Sequence, residues 1–298
     1  ELQTYNIDVD KIEKAISDKT KAIMIAHTLG NPFDLEKIKK ICDKYNLYLI
    51  EDCCDALGSN YKNSHVGTFG DIGTLSFYPA HHITMGEGGA VFTNSSKIKK
   101  SMESIRDWGR DCWCDTGCDN TCKKRFDWKF SNLPYGYDHK YVYSSLGFNL
   151  KITDMQASVG LAQLRKLDNF IITRKNNYIY LKNLLKDLEG YFQLPTSQEE
   201  ADPSWFGFPL LIKEKSICRN TLIKYLEANN IKTRLIFAGN LMKQPYMKYQ
   251  NFKNFGSYNN ADMIMNNGFW VGLYPGLTKE SLTKISYHLH NFISKISM

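Results

Sequence analysis

Apolar and polar positions alternate between two periods through the first hundred residues. Lys21-Ala-Ile-Met-Ile-Ala26 and Leu47-Tyr-Leu-Ile50 are apolar runs of strand length. Between them, residues 34 to 44 carry Leu35, Ile38, Ile41 and Cys42 at the spacing of a helix with one buried face, and Asp34 is placed to cap its start. Residues 71 to 78 and 89 to 92 predict two further strands around a glycine-rich turn. This strand–helix–strand rhythm predicts an α/β fold with a mostly parallel sheet, whose functional groups collect at the strands' carboxyl ends. From Trp108 to Tyr143 the period disappears into a run rich in Cys, Trp, Tyr, Asp and Gly. A stretch this long without a period is functional or disordered, and its aromatics and cysteines argue against disorder. A long helical pattern with a break then runs from Ile152 to about Leu188, and mixed short elements follow from Gln193. The domains expected are residues 1–165, carrying the Cys-rich insertion 108–143, and a smaller C-terminal α+β domain, 166–298.

The chain's 298 residues are 43% hydrophobic, enough for one large or two modest cores. No run of about 18 apolar residues suggests a membrane span. The net charge of +7 favours anionic partners, but Lys and Arg are scattered, so a phosphorylated small molecule is expected rather than nucleic acid. The opening residues lack the layout of a signal peptide, and a cytoplasmic location is expected. Eight cysteines are present, four of them between positions 112 and 122. Clustered thiols in a reducing compartment hold metal, and on composition alone structural zinc leads.

Two segments carry organic chemistry. In Ile50-Glu-Asp-Cys-Cys-Asp-Ala-Leu-Gly58 two acids close an apolar strand, where a carboxylate can pair with a protonated heterocyclic nitrogen. In Ser76-Phe-Tyr-Pro-Ala-His-His-Ile-Thr-Met-Gly-Glu-Gly-Gly89 a serine and a glycine-rich turn can hold phosphate. His81 and His82 are adjacent and are expected to point in different directions. Taken alone, either histidine reads as a structural hydrogen-bonder more readily than as a catalyst.

Together these segments resemble the DegT/DnrJ/EryC1/StrS family of sugar aminotransferases, and the likeness continues through Gly147-Phe-Asn-Leu-Lys-Ile-Thr-Asp-Met-Gln-Ala157 and Thr233-Arg-Leu-Ile-Phe-Ala-Gly-Asn240. The resemblance implies the type I fold of pyridoxal phosphate (PLP)-dependent transferases, with residues 1–165 as the C-terminal part of the cofactor-binding domain. It also implies a further segment ahead of the point matching Glu1, and a homodimer with shared sites. By the same match, Asp52 faces the cofactor's pyridine nitrogen, Ser76 its phosphate, and Asn149 reaches the neighbouring subunit's cofactor.

The family's Schiff-base lysine is replaced here by His81, which cannot anchor the cofactor covalently but can move protons near neutral pH. That departure, with Asp55 and Tyr78, resembles the branch that removes the C3 hydroxyl of nucleotide-linked 4-keto-6-deoxy sugars using pyridoxamine phosphate (PMP). The spacing of Cys54, Cys112, Cys114 and Cys122 (Cys-x57-Cys-x-Cys-x7-Cys) is similar to the [2Fe–2S] motif of the CDP-sugar members, and four thiolates are what such a cluster needs. Cys54 would lie about 7 Å from Asp52 if the strand continued, beside the cofactor. The implied partners are a CDP-linked 4-keto-6-deoxyhexose and an NAD(P)H-dependent flavin and iron–sulfur reductase. Two alternatives stay open at this point: an iron-free GDP-sugar dehydratase with a zinc staple, and a non-catalytic sugar-nucleotide-binding partner subunit.

Overall fold

Strand and helix alternate through the first third of the chain as the hydrophobic pattern predicts. The computed structural model describes residues 1–114 and 117–296. Its first part runs α1 (Ile12–Ala15), β1 (Ala22–Ala26), α2 (Leu35–Tyr45), β2 (Tyr48–Asp52), β3 (Asn60–Tyr61), β4 (Ser64–His65), β5 (Ile72–Ser76), β6 (Gly89–Phe92) and α3 (Ser96–Arg106). The second part runs α4 (Asp154–Leu164), α5 (Leu167–Leu184), β7 (Phe192–Gln193), β8 (Ala201–Asp202), β9 (Gly207–Ile212), α6 (Arg219–Ala228), β10 (Thr233–Arg234), α7 (Asn259–Asn267), β11 (Gly268–Gly272) and α8 (Lys279–Ile296). Asp34 caps α2 by accepting the Lys37 N–H at 3.0 Å, and Leu35, Ile38 and Cys42 form its buried face.

The first sheet has the order β1-β2-β5-β6, with the first three strands parallel and β6 antiparallel to β5. β2 extends two residues beyond the apolar run because Glu51 and Asp52 stay in register with both neighbours. Asp52 lies between Ala26 and Thr74. A second sheet, β10-β11-β9-β7, is antiparallel, and a small third one joins β3 to β4 and β8. One apolar cluster, including Phe33, Leu35, Ile38 and Leu49, packs under the first sheet. A larger one, including Trp205, Phe208, Phe269 and Leu289, lies between the second sheet and α5, α6 and α8. Burying each such side chain contributes about 1.5–3 kcal/mol.

The expected break in the long helix falls at Arg165–Lys166, between α4 and α5. Thr153 and Gln156 form a capping box at the start of α4, and Gln156 Nε2 also donates to Glu87 O at 2.9 Å, which ties the helix to the glycine-rich turn. Between α3 and α4 the insertion leaves through a narrow neck with bridges Asp107–Asn149 and Arg110–Tyr143. Gly109 makes that neck possible: its φ is +80°, and a Cβ there would sit 1.8 Å from Ser145 O. Among the described residues no helix is long and apolar enough to cross a membrane.

Candidate active site

The parallel register sets the chemistry at one edge. Side chains alternate across a strand, so Glu51 and Asp52 face opposite sides of β2. Glu51 is fully buried and accepts N–H groups from Gly67 (2.7 Å), Phe69 (2.9 Å) and Gly70 (2.6 Å), and it pairs with His27 Nε2 at 3.1 Å. Burial alone would push the Glu51 carboxyl up, but His27 and the Gly67 and Gly70 N–H groups outweigh it and hold the group below its ordinary value. Asp52 on the other side accepts the Cys54 N–H at 3.0 Å and the Thr74 hydroxyl at 3.4 Å. Glu51 thus braces the strand end from which Asp52 projects.

His81 is clasped at both nitrogens. Nδ1 lies 3.2 Å from Ser76 Oγ and Nε2 lies 3.3 Å from Asp55 Oδ1, and the His81 and Asp55 side chains are only 16% and 14% exposed. Phe206 supports the imidazole face at 5.4 Å between ring centres, nearly parallel, and Tyr78 meets it edge-on at 6.1 Å. The turn itself is fixed by Tyr78 N–H donating to Ser76 Oγ (3.3 Å) and His81 N–H donating to Tyr78 O (3.0 Å). Ser76, Tyr78, His81 and Asp55 therefore form one cluster, with Asp52 one strand away at the same sheet edge.

His82 turns the other way, as expected of its neighbour's partner. It is buried, with Nε2 2.8 Å from Ser204 O. Burial first and the Arg174 guanidinium second pull its pKa down to about 3, so it is a neutral, structural imidazole. Arg174 is itself buried and donates to Trp205 O (3.3 Å) and Phe206 O (3.0 Å), which holds Phe206 behind His81. Phe206 and Arg174 were not legible from sequence, since they lie far along the chain and carry no local motif.

Asn149 is exposed at the neck, flanked by exposed Phe148 and Leu150, and is not gathered with His81. A cavity of about 1060 Å³ against β5, β6 and α3 is lined by groups such as Leu75, Phe92 and Met102 and includes neither His81 nor Asp55.

The cysteine quartet is divided between the sheet edge and the insertion. The strand stops at Asp52 and the chain turns under it, so Cys54 does not continue along β2. Its Sγ faces Thr74 Oγ1 at 3.8 Å, and burial and the Asp52 carboxylate push the thiol up to about 12. Cys112 and Cys114 instead group with His139, each offering a ligand atom within 4.8 Å of the others, and Cys122 Sγ lies 3.5 Å from His139 Nε2. Cys54 is not in this group. Thr121 and neighbouring N–H groups lower the Cys114 thiol to about 7, whereas burial raises that of Cys112. Cys53 lies in the core and Cys118 is exposed. His139 lies in the same insertion, 17 residues after Cys122, and carries no local motif that marks it in the sequence.

The donor set at the sheet edge suits a PLP-type cofactor: a carboxylate for a ring nitrogen, a hydroxyl for a phosphate and an imidazole where an anchoring lysine would stand. Comparison with known proteins agrees. "Lipopolysaccharide biosynthesis protein RfbH" of Salmonella typhimurium is 58% identical over 293 residues, covering 98% of this chain and 67% of the relative. "dTDP-4-dehydro-2,6-dideoxy-D-glucose 3-dehydratase" of Saccharopolyspora spinosa is 46% identical over 298 residues, covering 100% of this chain and 64% of the relative. The chain thus spans about two thirds of the length of these relatives. Among solved structures, E. coli GDP-4-keto-6-deoxy-D-mannose-3-dehydratase with bound hydrated PLP superposes with a TM-score of 0.83 at 30% identity, covering 97% of this chain and 72% of that one. The architecture is that of the type I PLP-dependent transferases. With residues 1–290 matching the model of the DegT/DnrJ/EryC1/StrS aminotransferase family, the chain belongs to that family.

Proposed function

We propose that this chain contributes the catalytic edge of an enzyme that removes the C3 hydroxyl of a nucleotide-linked 4-keto-6-deoxyhexose with the help of PMP. The observation that carries the reading is the two-sided clasp of His81 by Ser76 and Asp55 at the place of the family's lysine. The names of the S. spinosa and E. coli relatives, both 3-dehydratases, support it.

Bound at this edge, the cofactor's pyridine ring supplies a sink for the electron pair of a broken C–H bond. Asp52 keeps the ring nitrogen protonated, and Thr74 and the Cys54 N–H hold its carboxylate in place. His81 is the base. Asp55, 3.3 Å from Nε2, fixes the ring, and the imidazole takes up the substrate-side proton. Phe206 keeps the imidazole from rotating away and shields one face from water. Tyr78, half exposed beside His81, is placed to help the departing hydroxyl.

The finer reading is a CDP-linked substrate on the route to 3,6-dideoxyhexoses, processed in the cytoplasm. Its redox half is a [2Fe–2S] cluster fed by an NAD(P)H-dependent flavin and iron–sulfur reductase. The cysteine spacing supports that half, with Cys112, Cys114 and Cys122 gathered near His139 in the insertion. A homodimer sharing its sites through Asn149 fits the exposed apolar run Leu146, Phe148, Leu150 and Met155 around it.

The test is solvent exchange. Incubation with PMP and a CDP-linked 4-keto-6-deoxyhexose in deuterated water should label the PMP methylene, followed by NMR, and His81→Asn should stop it. Exchange that persists in His81→Asn would remove His81 as the base, and no exchange in the unmodified protein would favour the partner-subunit alternative.

A further inference from the structure

The ends of β1 and β2 are joined by a grip that the proposed proton transfer does not use. His27 follows β1 directly and is 1% exposed. Its backbone N–H donates to Asp52 O at 3.0 Å, and its Nε2 lies 3.1 Å from Glu51 Oε2. One residue therefore holds two consecutive acids, the first through its side chain and the second through its main chain. The imidazole lies flat on Phe33, with ring centres 4.1 Å apart and planes within 4°. Glu51, held below its ordinary value, is a carboxylate that only accepts. Nε2 therefore carries the proton, and Nδ1 is left as a buried acceptor without a partner. An unpaired buried acceptor is destabilising, and the bond from the other nitrogen has to offset it.

That bond reaches Asp52 by two routes. Along the main chain, the His27 N–H fixes Asp52 O, and the Cys53 N–H donates to Thr74 O at 3.0 Å, so the peptide after Asp52 is bonded on both edges. Across the sheet, the Glu51 carboxylate gathers the N–H groups of Gly67, Phe69 and Gly70. This loop leads into β5, whose Thr74 hydroxyl meets the Asp52 carboxylate at 3.4 Å. Gly67 permits the approach: its φ is +89°, and a Cβ there would come within 2.7 Å of the Phe92 ring. Asp52 then keeps only its own side-chain torsions, and these close on the Cys54 N–H at 3.0 Å.

We propose that His27 and Glu51 are positioning residues that aim the Asp52 carboxylate at the cofactor's ring nitrogen, through the hydrogen bond from His27 Nε2 to Glu51. Glu51 and Asp52 face opposite sides of β2, so the pair works from behind the strand and not by touching the cofactor. Burial holds the His27 imidazole below its ordinary value against the opposing pull of Glu51, which keeps it a neutral, single donor. The proposal rests on the PMP reading for what Asp52 meets, but the aim of the carboxylate is measurable without any cofactor.

In the cofactor-free full chain, amide hydrogen exchange at Cys54 reports the Asp52 carboxylate that accepts its N–H, and exchange at Lys37, capped by Asp34 in α2, serves as the control. His27→Phe keeps a flat ring on Phe33 but loses the donor, and Glu51→Gln loses the carboxylate. Each should speed Cys54 exchange about tenfold and leave Lys37 unchanged, while His27→Gln, which keeps a donor, stays close to the unmodified chain. With PMP carrying an isotopically labelled ring nitrogen, read by NMR, His27→Phe should move the signal toward the neutral pyridine and weaken PMP binding roughly tenfold, and His27→Gln should restore both. The proposal is overturned if His27→Phe and Glu51→Gln leave Cys54 exchange unchanged. It is equally overturned if Lys37 accelerates as much as Cys54 in every variant, since the pair then only holds the fold, or if His27→Phe outperforms His27→Gln, since packing and not the donor then matters. Failure of the unmodified chain to bind PMP would count against the cofactor reading, while Cys54 exchange still judges the pair.

Discussion

The His81 pocket and the cysteine-rich insertion solve the same problem, fixing an imidazole, by different means. At the sheet edge the scaffold does it: strand register places Asp52, Thr74 and Ser76, and a turn closed by backbone hydrogen bonds presents His81 to two polar partners. In the insertion no sheet is at hand, and stacked rings and an Arg125–Asp138 pair stand in for it. The first imidazole has both nitrogens satisfied, whereas the second keeps one nitrogen without a partner.

The contrast can be broken most forcefully at His81. Replacing it with Asn should reduce PMP-dependent proton exchange by about 10³-fold while leaving the fold intact, measured by NMR exchange alongside circular dichroism. His81→Lys should restore the family's covalent capture of PLP, seen by intact mass after borohydride reduction, without restoring dehydration. Next in size is the response to acid. The folded pKa of His82, about 3, lies below the unfolded value of about 6.5, so the unfolded chain binds this proton first. Its contribution is complete above pH 6.5 and falls as pH drops toward 3, a loss of about 3 kcal/mol by pH 4. Denaturant titrations across that window should be visibly flatter for His82→Gln. If the slope is unchanged, His82 is not the buried neutral imidazole described here.

Asp55→Asn should slow exchange roughly 10- to 100-fold with PMP affinity retained, because it misdirects the imidazole rather than removing it. An equal loss of PMP affinity would instead make Asp55 a binding group. The smallest effect belongs to the insertion's own scaffold. Arg125→Ala should loosen the turn that carries His139, because it removes the ion pair with Asp138. Limited proteolysis within residues 117–143 would accelerate, while exchange at the sheet edge stays unchanged.

Much of the sheet edge was legible in the sequence because its groups are close along the chain and bound to regular elements. Asp34 as a cap, the four strands of the first sheet and the opposed directions of His81 and His82 follow from local pattern. Phe206 and Arg174 do not, since packing brings them in from more than ninety residues away. The placing of Cys54 departs from an extended continuation of β2 because the Asp52 carboxylate captures the Cys54 N–H and bends the chain. His139 was missed because an irregular loop offers no period from which burial can be read.

The Ser76–His81–Asp55 row has a further consequence, because a hydroxyl owns only one proton. When Nε2 carries its proton toward Asp55, the Ser76 hydroxyl donates to Nδ1 and is unavailable to any anion. Once Nδ1 acquires a proton, that bond must reverse direction: Nδ1–H becomes the donor, and the Ser76 hydroxyl swings free to donate elsewhere. The row then works as a relay with a polarity. In the proposed reading, each proton that His81 takes up frees the Ser76 hydroxyl to donate outward, and each proton it gives back turns the hydroxyl inward. Grip on the cofactor and the protonation state of the base would thereby rise and fall together.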